Sequence, residues 1–420
     1  MHALYIVGSH LAFLLAAPVL WLSPKLRRGW WQRLGRGYRR TRDDRHCVWL
    51  HGASAGDLLA LRPIVIALKS VRPDLRVVVS STTESGREMV MSQLPDVDDF
   101  LYQPFDLWGP VGRALDAVRP QVLVLEYTEL WPQLTRSADR RGIDLVLTNG
   151  RLSPSQMGRY QILFRVIGNP LSRFRHLLMR SPIEAERAIA LGAPVDRVQA
   201  AGSTKFDNLK VPDPVAVDRL RSALGLESGR PVWVCGSTHE GEEGPLIDVF
   251  RRLRDRHPDL ALILAPRYTE RSTRVAQISR LAGFEPRLRS EGPDSEIAVW
   301  ILDQVGELST AYGLADLVFV GGSFVPRGGQ NILEPAACAK PVLFGPGMEN
   351  FVEAVELLLG RGGLQVDDFD VLEQTLDQLL KAPEQARKTG RLAADAVAGQ
   401  QGAAQRCADV ILSCLETLDD

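Results

Sequence analysis

The sequence predicts an α/β protein built from two Rossmann-like, doubly wound domains that face a cleft, preceded by an N-terminal membrane-anchor helix. Three observations predict it. The chain has 420 residues, more than one ordinary core accommodates. From Cys47 onward, short apolar runs alternate with amphipathic segments, the pattern of βα units on a parallel sheet. That alternation pauses once, in the polar and proline-containing stretch 205–230, and then resumes. Residues 1–45 are therefore expected to form an anchor and basic segment, 46–204 a first domain, 205–230 a linker region, and 231–420 a second domain with closing helices.

The anchor is read from "ALYIVGSHLAFLLAAPVLWL", Ala3 to Leu22, which carries no formal charge and is about long enough to cross a bilayer core as one helix. Lys25, Arg27, Arg28, Arg33, Arg36, Arg39, Arg40 and Arg42 follow, interleaved with Trp30, Trp31 and Tyr38. Such a flank marks the cytoplasmic side, with indoles at headgroup level. A helix lying in the interface is the alternative. A cleaved signal peptide fits less well, because its positive region would precede the apolar run.

In the first half the strands are expected at "CVWLH", "RVVVSS", "QVLVLE" and "DLVLTN", with helices such as "LLALRPIVIALKSV" and "PVGRALDAVRP" between them. In the second half they are "PVWVCGS", "LALILAP", "IAVWILD", "DLVFVGG" and "PVLFG". Open parallel sheets bind ligands past the carboxyl ends of their strands, so chemistry is sought there.

Composition narrows the function. A net charge of −1 leaves no basic excess to neutralise a run of phosphates, so nucleic acid is not an expected partner. Five scattered cysteines, without a CxxC, suit a reducing compartment. The seven histidines form no ligand cluster and no DxD-like pair sits in a nucleotide loop, so neither a metal nor a cofactor is expected. Ordinary NAD and Walker ATPase sites lack their glycine motifs.

Several strand ends carry candidate groups. In "HGASAGDLLAL", Asp57 either caps a helix, or acts on a substrate over a floor cleared by the small residues before it. Glu126 ends an apolar strand in "VLEYTELWPQL", where a buried carboxylate needs a partner; Glu129 follows three residues later. Lys205, in "GSTKFDN", could neutralise developing negative charge or be solvated surface. Arg267 follows "LALILAP" and suits a phosphate, and Glu307 in "DQVGEL" precedes a helix. The stretch "LVFVGGSFVPRGGQNILEPAACAKPVLFGP" reads as strand, glycine loop and a helix opening near Asn331. Its amides would attract an anion and Glu334 a ribose diol; a plain glycine turn is the alternative.

Together "HGASAGD", "EYTELWP", "NGRLSPSQMGRY", "GSTKFD", "GSTHEGEE", "APRYTER", "VGELSTAYGLADLVFVGGSFVPRGGQNILEPAA" and "FGPGMENF" resemble the Kdo transferases, membrane-associated enzymes that move 3-deoxy-D-manno-octulosonic acid from CMP-Kdo to a lipid A precursor in lipopolysaccharide synthesis. The resemblance runs from about residue 47 to 365 and includes the anchor. It implies the two-domain GT-B fold at the inner membrane, with the body on the cytoplasmic side, and inverting, metal-independent transfer. It further implies that Asp57 is the general base and that Glu126 and Lys205 stabilise the transition state. CMP would be held by Pro266 and Arg267, by Val305, Gly306 and Glu307, and by Asn331, Ile332, Leu333 and Glu334. The departing phosphate would be met by Arg267, Lys205 and the amides around Ser323. The family pattern has Glu at Asp57, Thr or Ser at Tyr127, Met at Val305 and His at Gln330. These departures leave room for another acidic sugar, another lipid acceptor, or a catalytically retired nucleotide-binding paralogue.

Overall fold

The computed structural model describes residues 2–23, 27–38 and 43–416. Lys25, Arg39, Arg40 and Arg42 of the expected basic flank lie outside them. The chain divides into two compact units, one running to Asn208 and including the residues from Gln400 onward, the other Leu209–Gly399.

Among the described residues, the first unit is built on a seven-stranded parallel sheet. Its strands are β1 (Cys47–His51), β2 (Arg76–Ser81), β3 (Asp99–Tyr102), β4 (Val122–Glu126), β5 (Asp144–Gly150), β6 (His176–Met179) and β7 (Val198–Ala200), in the order β3-β2-β1-β4-β5-β6-β7. Both faces are covered, which is why the strands read as unbroken apolar runs. Val48 and Leu50 of β1 join one core with Leu58, Leu61, Ile64 and Leu68 of helix Ala55–Val71. Cys47 and Trp49 point the other way, into a core with Val111, Leu115 and Leu134.

The second unit repeats the plan with β8 (Val232–Thr238), β9 (Ala261–Pro266), β10 (Pro286–Leu288), β11 (Val299–Ile301), β12 (Leu317–Val320), β13 (Val342–Phe344) and β14 (Gly363–Gln365). Their order is β10-β11-β9-β8-β12-β13-β14, again all parallel among the described residues. The first sheet reverses its strand order at β1/β4 and the second at β8/β12; the second also has β10 and β11 exchanged at its far edge. Ligand crevices in this topology open at those reversals.

Three expectations need correction. The stretch 205–230 is not a bare linker, because it contains the helix Pro214–Leu224, whose Leu220 and Leu224 are buried in the second unit's core. The last helix, Ala403–Glu416, belongs to the first unit, where Cys407, Ile411, Cys414 and Leu415 enter the core under Leu58 and Leu61. Asp207 holds it there, with its carboxylate accepting from the amides of Gly402 (2.6 Å) and Ala404 (2.9 Å) at the helix start. Arg33 of the basic stretch is not a lipid-facing charge: it is buried, stacks on Tyr102 and donates to the Thr82 carbonyl at 2.8 Å.

The N-terminal helix His2–Leu22 is long and apolar enough to cross a membrane. No disulfide joins the cysteines, of which Cys47, Cys235, Cys407 and Cys414 are buried.

Candidate active site

In the first unit the functional side chains gather past the strands on either side of the β1/β4 reversal. Strand β1 ends at His51, and Ser54 opens helix Ala55–Val71. Asp57 stands at the third helical position, where its Oδ2 accepts from the Ser54 amide at 2.9 Å. Capping and chemistry are therefore compatible, since Oδ1 is left for other work. Gly52 is small for a protein reason: a Cβ there would lie 3.0 Å from that of Asp57 and 3.2 Å from the Leu58 amide. The floor read from the small residues is at this position occupied by the helix start itself.

Glu126 ends β4 fully buried. Its partners come from the next strand, with Thr148 Oγ1 donating to Oε2 at 2.6 Å and Asn149 Nδ2 donating to Oε1 at 2.7 Å. Burial pushes the carboxyl up to about 8, the Asp57 charge adds to the rise, and the two hydrogen bonds and the Lys205 charge oppose it. Asn149 also binds Thr204, through Nδ2 to Oγ1 at 2.7 Å and from the Thr204 amide to Oδ1 at 2.8 Å. Thr204 Oγ1 in turn donates to the Ala60 carbonyl at 2.6 Å, one turn along the helix that carries Asp57. One buried chain of hydrogen bonds thus ties β4, β5, the segment bearing Lys205 and the Asp57 helix together. Lys205 itself is exposed, its ammonium 5.6 Å from the centre of the Tyr127 ring. Tyr127 takes a left-handed backbone (φ 55°) directly after β4, and its hydroxyl is buried without a hydrogen-bond partner. Glu129 is half-buried, 3.8 Å from His51 Nε2.

In the second unit the residues expected to hold CMP lie on loops that follow β9, β11 and β12. Pro266 is buried at the end of β9 and Arg267 is exposed, with its guanidinium 5.6 Å from the Tyr268 ring. Val305 is 90% exposed on the loop after β11, and Gly306 turns there with φ 98°. Glu307 precedes helix Leu308–Leu314 and meets Arg289 at 3.2 Å, while its Oε2 is buried without a hydrogen-bond partner. Asn331 caps the five-residue helix Leu333–Ala337 through the Leu333 amide (3.0 Å), with Ile332 buried beside it. Its Nδ2 donates to Glu334 Oε1 at 2.9 Å, and burial raises the Glu334 carboxyl.

The expectation for the amides around Ser323 is overturned. The buried carboxylate of Glu242 already occupies them, accepting from Gly322 at 2.8 Å and from Ser323 and Phe324 at 3.1 Å each, as well as from His239 at 2.9 Å. Gly321 permits this approach, since a Cβ there would meet Glu242 Oε2 at 2.8 Å. The loop is an anion cradle filled by the protein's own anion. The cations near it are side chains: protonation of His239 beside the loop is depressed first by burial and then by the charges of Arg327, Arg267 and Arg271, with Glu242 opposing. Thr238 Oγ1, at the end of β8, is buried with no hydrogen-bond partner.

Sequence reasoning missed Glu242, although "GSTHEGEE" was among the motifs quoted. It also missed Thr148, Asn149 and Thr204, which are legible only as neighbours in the fold. Among the described residues, no group of three His, Cys, Asp or Glu is placed to hold a metal ion.

Two parallel, doubly wound units, each with charged groups gathered past its strand ends, make the GT-B fold. The same fold is seen in the UDP-GlcNAc 2-epimerase of Neisseria meningitidis, with a TM-score of 0.59 over 88% of this chain and 100% of that one at 11% identity. A family model described as 3-deoxy-D-manno-octulosonic-acid transferase (kdotransferase) matches residues 28–208. A 3-deoxy-D-manno-octulosonic acid transferase of Haemophilus influenzae is 32% identical over 375 residues, covering 88% of this chain and 87% of the relative. One from Bordetella pertussis is 30% identical over 416 residues, covering 93% and 95%. The chain belongs to the 3-deoxy-D-manno-octulosonic acid (Kdo) transferase family.

Proposed function

We propose that this protein transfers Kdo from CMP-Kdo to a lipid A precursor at the cytoplasmic face of the inner membrane, with inversion at the anomeric carbon and without a metal. The observation that carries the reading is the hydrogen-bonded chain Glu126–Asn149–Thr204–Ala60, which fixes three charged groups of the first unit relative to one another.

Asp57 takes the proton of an acceptor hydroxyl, whose oxygen forms a bond to the anomeric carbon as the bond from that carbon to the CMP phosphate oxygen breaks. General-base help of this kind is worth roughly 10²- to 10⁴-fold. Glu126 is held close to neutrality in its protonation, because burial and the Asp57 charge both disfavour its ionised form. When Asp57 gains the acceptor's proton, one of those opposing charges disappears and Glu126 becomes more acidic. Lys205, set over Tyr127, balances negative charge in the same cluster.

The second unit holds the donor through Pro266, Arg267, Val305, Gly306, Glu307, Asn331, Ile332, Leu333 and Glu334. Since Glu242 fills the loop amides, the charge of departing CMP falls, within the second unit, to Arg267 rather than to the backbone at Ser323. Labelled CMP-Kdo offered with lipid A precursor, against other nucleotide sugars and other lipids, tests the reading. Transfer from CMP-Kdo alone, undiminished by EDTA, supports it; transfer only from another donor, or none, refutes it.

A further inference from the structure

The apolar N-terminal helix does not stand clear of the protein. Tyr5, near its start, donates to Asp106 Oδ2 at 3.2 Å. Asp106 is fixed in the fold, because its two oxygens also accept from the amides of Gln133 (3.0 Å) and Leu134 (2.8 Å) at the start of helix Pro132–Asp139. Halfway along, the Phe13 ring lies 4.8 Å from that of Phe105. Toward the end, Trp21 meets Trp30 edge-on at 5.2 Å, and Trp30 packs on Phe105 at 5.1 Å. Tyr5, Ile6, Ser9, His10, Phe13, Ala16, Ala17 and Leu20 are accordingly the half-buried positions, a single helical stripe.

Tyr5 and Trp21 are sixteen residues apart, roughly 24 Å along a helix axis. Were the helix to cross a hydrocarbon core of about 30 Å with Trp21 at one surface, Tyr5 would approach the other. Asp106 and the capped helix start beside it would then be carried through the lipid, where a carboxylate and open backbone are costly. The opposite stripe consists of Val7, Leu11, Leu14, Leu15, Val19 and Leu22, each more than half exposed, with Leu15 at 83%. An all-round apolar helix needs cover on both sides. The first unit covers one. Arg27 and Arg28 follow the helix, Arg28 pairing with Glu84 at 3.0 Å, and the exposed indoles of Trp31, next to the docking partner Trp30, and of Trp108, two residues beyond Asp106, stand nearby in sequence.

We propose that the helix His2–Leu22 lies in one leaflet, its outer stripe in anionic lipid and its inner stripe on the first unit, and does not span the bilayer. This rests on the membrane location proposed above. The start of the helix is then on the same side as the body. A neutral epitope and a site-specific protease site fused ahead of His2 in the full chain, with a second epitope after Asp420, test it in membrane vesicles of both orientations. The expected result is membrane-bound protein whose leading epitope is cleaved only in inverted vesicles, where the trailing epitope is also accessible. Cleavage only in right-side-out vesicles, with the trailing epitope hidden there, overturns the proposal in favour of a span. Recovery of the intact chain in the soluble fraction overturns the membrane location itself. Loss of the leading epitope from mature membrane-free protein marks a cleaved leader and overturns both.

Discussion

Glu126 offers a perturbation whose size follows from its surroundings. Its carboxyl is fully buried and pushed from 4.5 up to about 8, chiefly by burial and then by Asp57. A carboxyl raised in the folded state costs stability as pH climbs from the unfolded value to the folded one, because folding then requires a proton to be bound. Between about pH 5 and about pH 8 this loss integrates to roughly 3 kcal/mol, and above the folded value it levels off. Glu126→Gln removes the titration while keeping the shape. Its amide oxygen can accept from Asn149, and its amide nitrogen can donate to the Thr148 hydroxyl, which rotates to accept. Urea unfolding of wild type and variant in detergent, following the first unit, should show their stability difference shifting by about 3 kcal/mol against wild type across that pH interval. Parallel curves would refute the reasoning, because they would mean that Glu126 is charged throughout and its burial is compensated elsewhere.

Other expectations follow from the same contacts. Asp57→Ala should cut turnover about 10²-fold or more while CMP binding, read by calorimetry, is retained; the lost contact to the Ser54 amide should cost about 1 kcal/mol in thermal unfolding. Asp57→Glu should keep measurable activity, and complete silence with intact CMP binding would favour a retired enzyme. Arg267→Ala should raise the donor Kd about tenfold or more with an unchanged Tm, since the side chain is exposed and supports no core contact. Glu242→Ala should lower the Tm of the second unit strongly, at about 1–3 kcal/mol for each of the buried amides it strands. A mild Glu242→Ala phenotype would show that water satisfies those amides.

The parts legible in the sequence are those set by local patterning. Runs such as "CVWLH" and "LALILAP" announce buried parallel strands because both sheet faces are covered, and the polar break near residue 205 falls close to the division at Asn208. Strands β3, β6, β7, β10 and β14 are not among those expected: each is three or four residues long and, unlike β11 in "IAVWILD" or β13 in "PVLFG", is flanked closely by charged, polar or glycine residues. The last helix shows its stripe in the sequence, but a stripe of Cys407, Ile411 and Leu415 does not say which sheet it will cover; the caps from Asp207 decide that. Asp57 was visible because small residues expose it. Glu242 was not, because its meaning depends on a loop eighty residues later, and a carboxylate in "HEGEE" reads as a helix start. The N-terminal helix was legible as apolar, whereas the direction of its axis depends on contacts from Tyr5 to Asp106 that no window of sequence contains.

The most direct test of the proposed activity is mass spectrometry of the lipid recovered after incubating detergent-solubilised protein with CMP-Kdo and lipid A precursor. Wild type should yield precursor heavier by one or more Kdo units together with released CMP, and Asp57→Ala should yield neither above background. Unmodified lipid from wild type, or equal product from both proteins, would contradict the account.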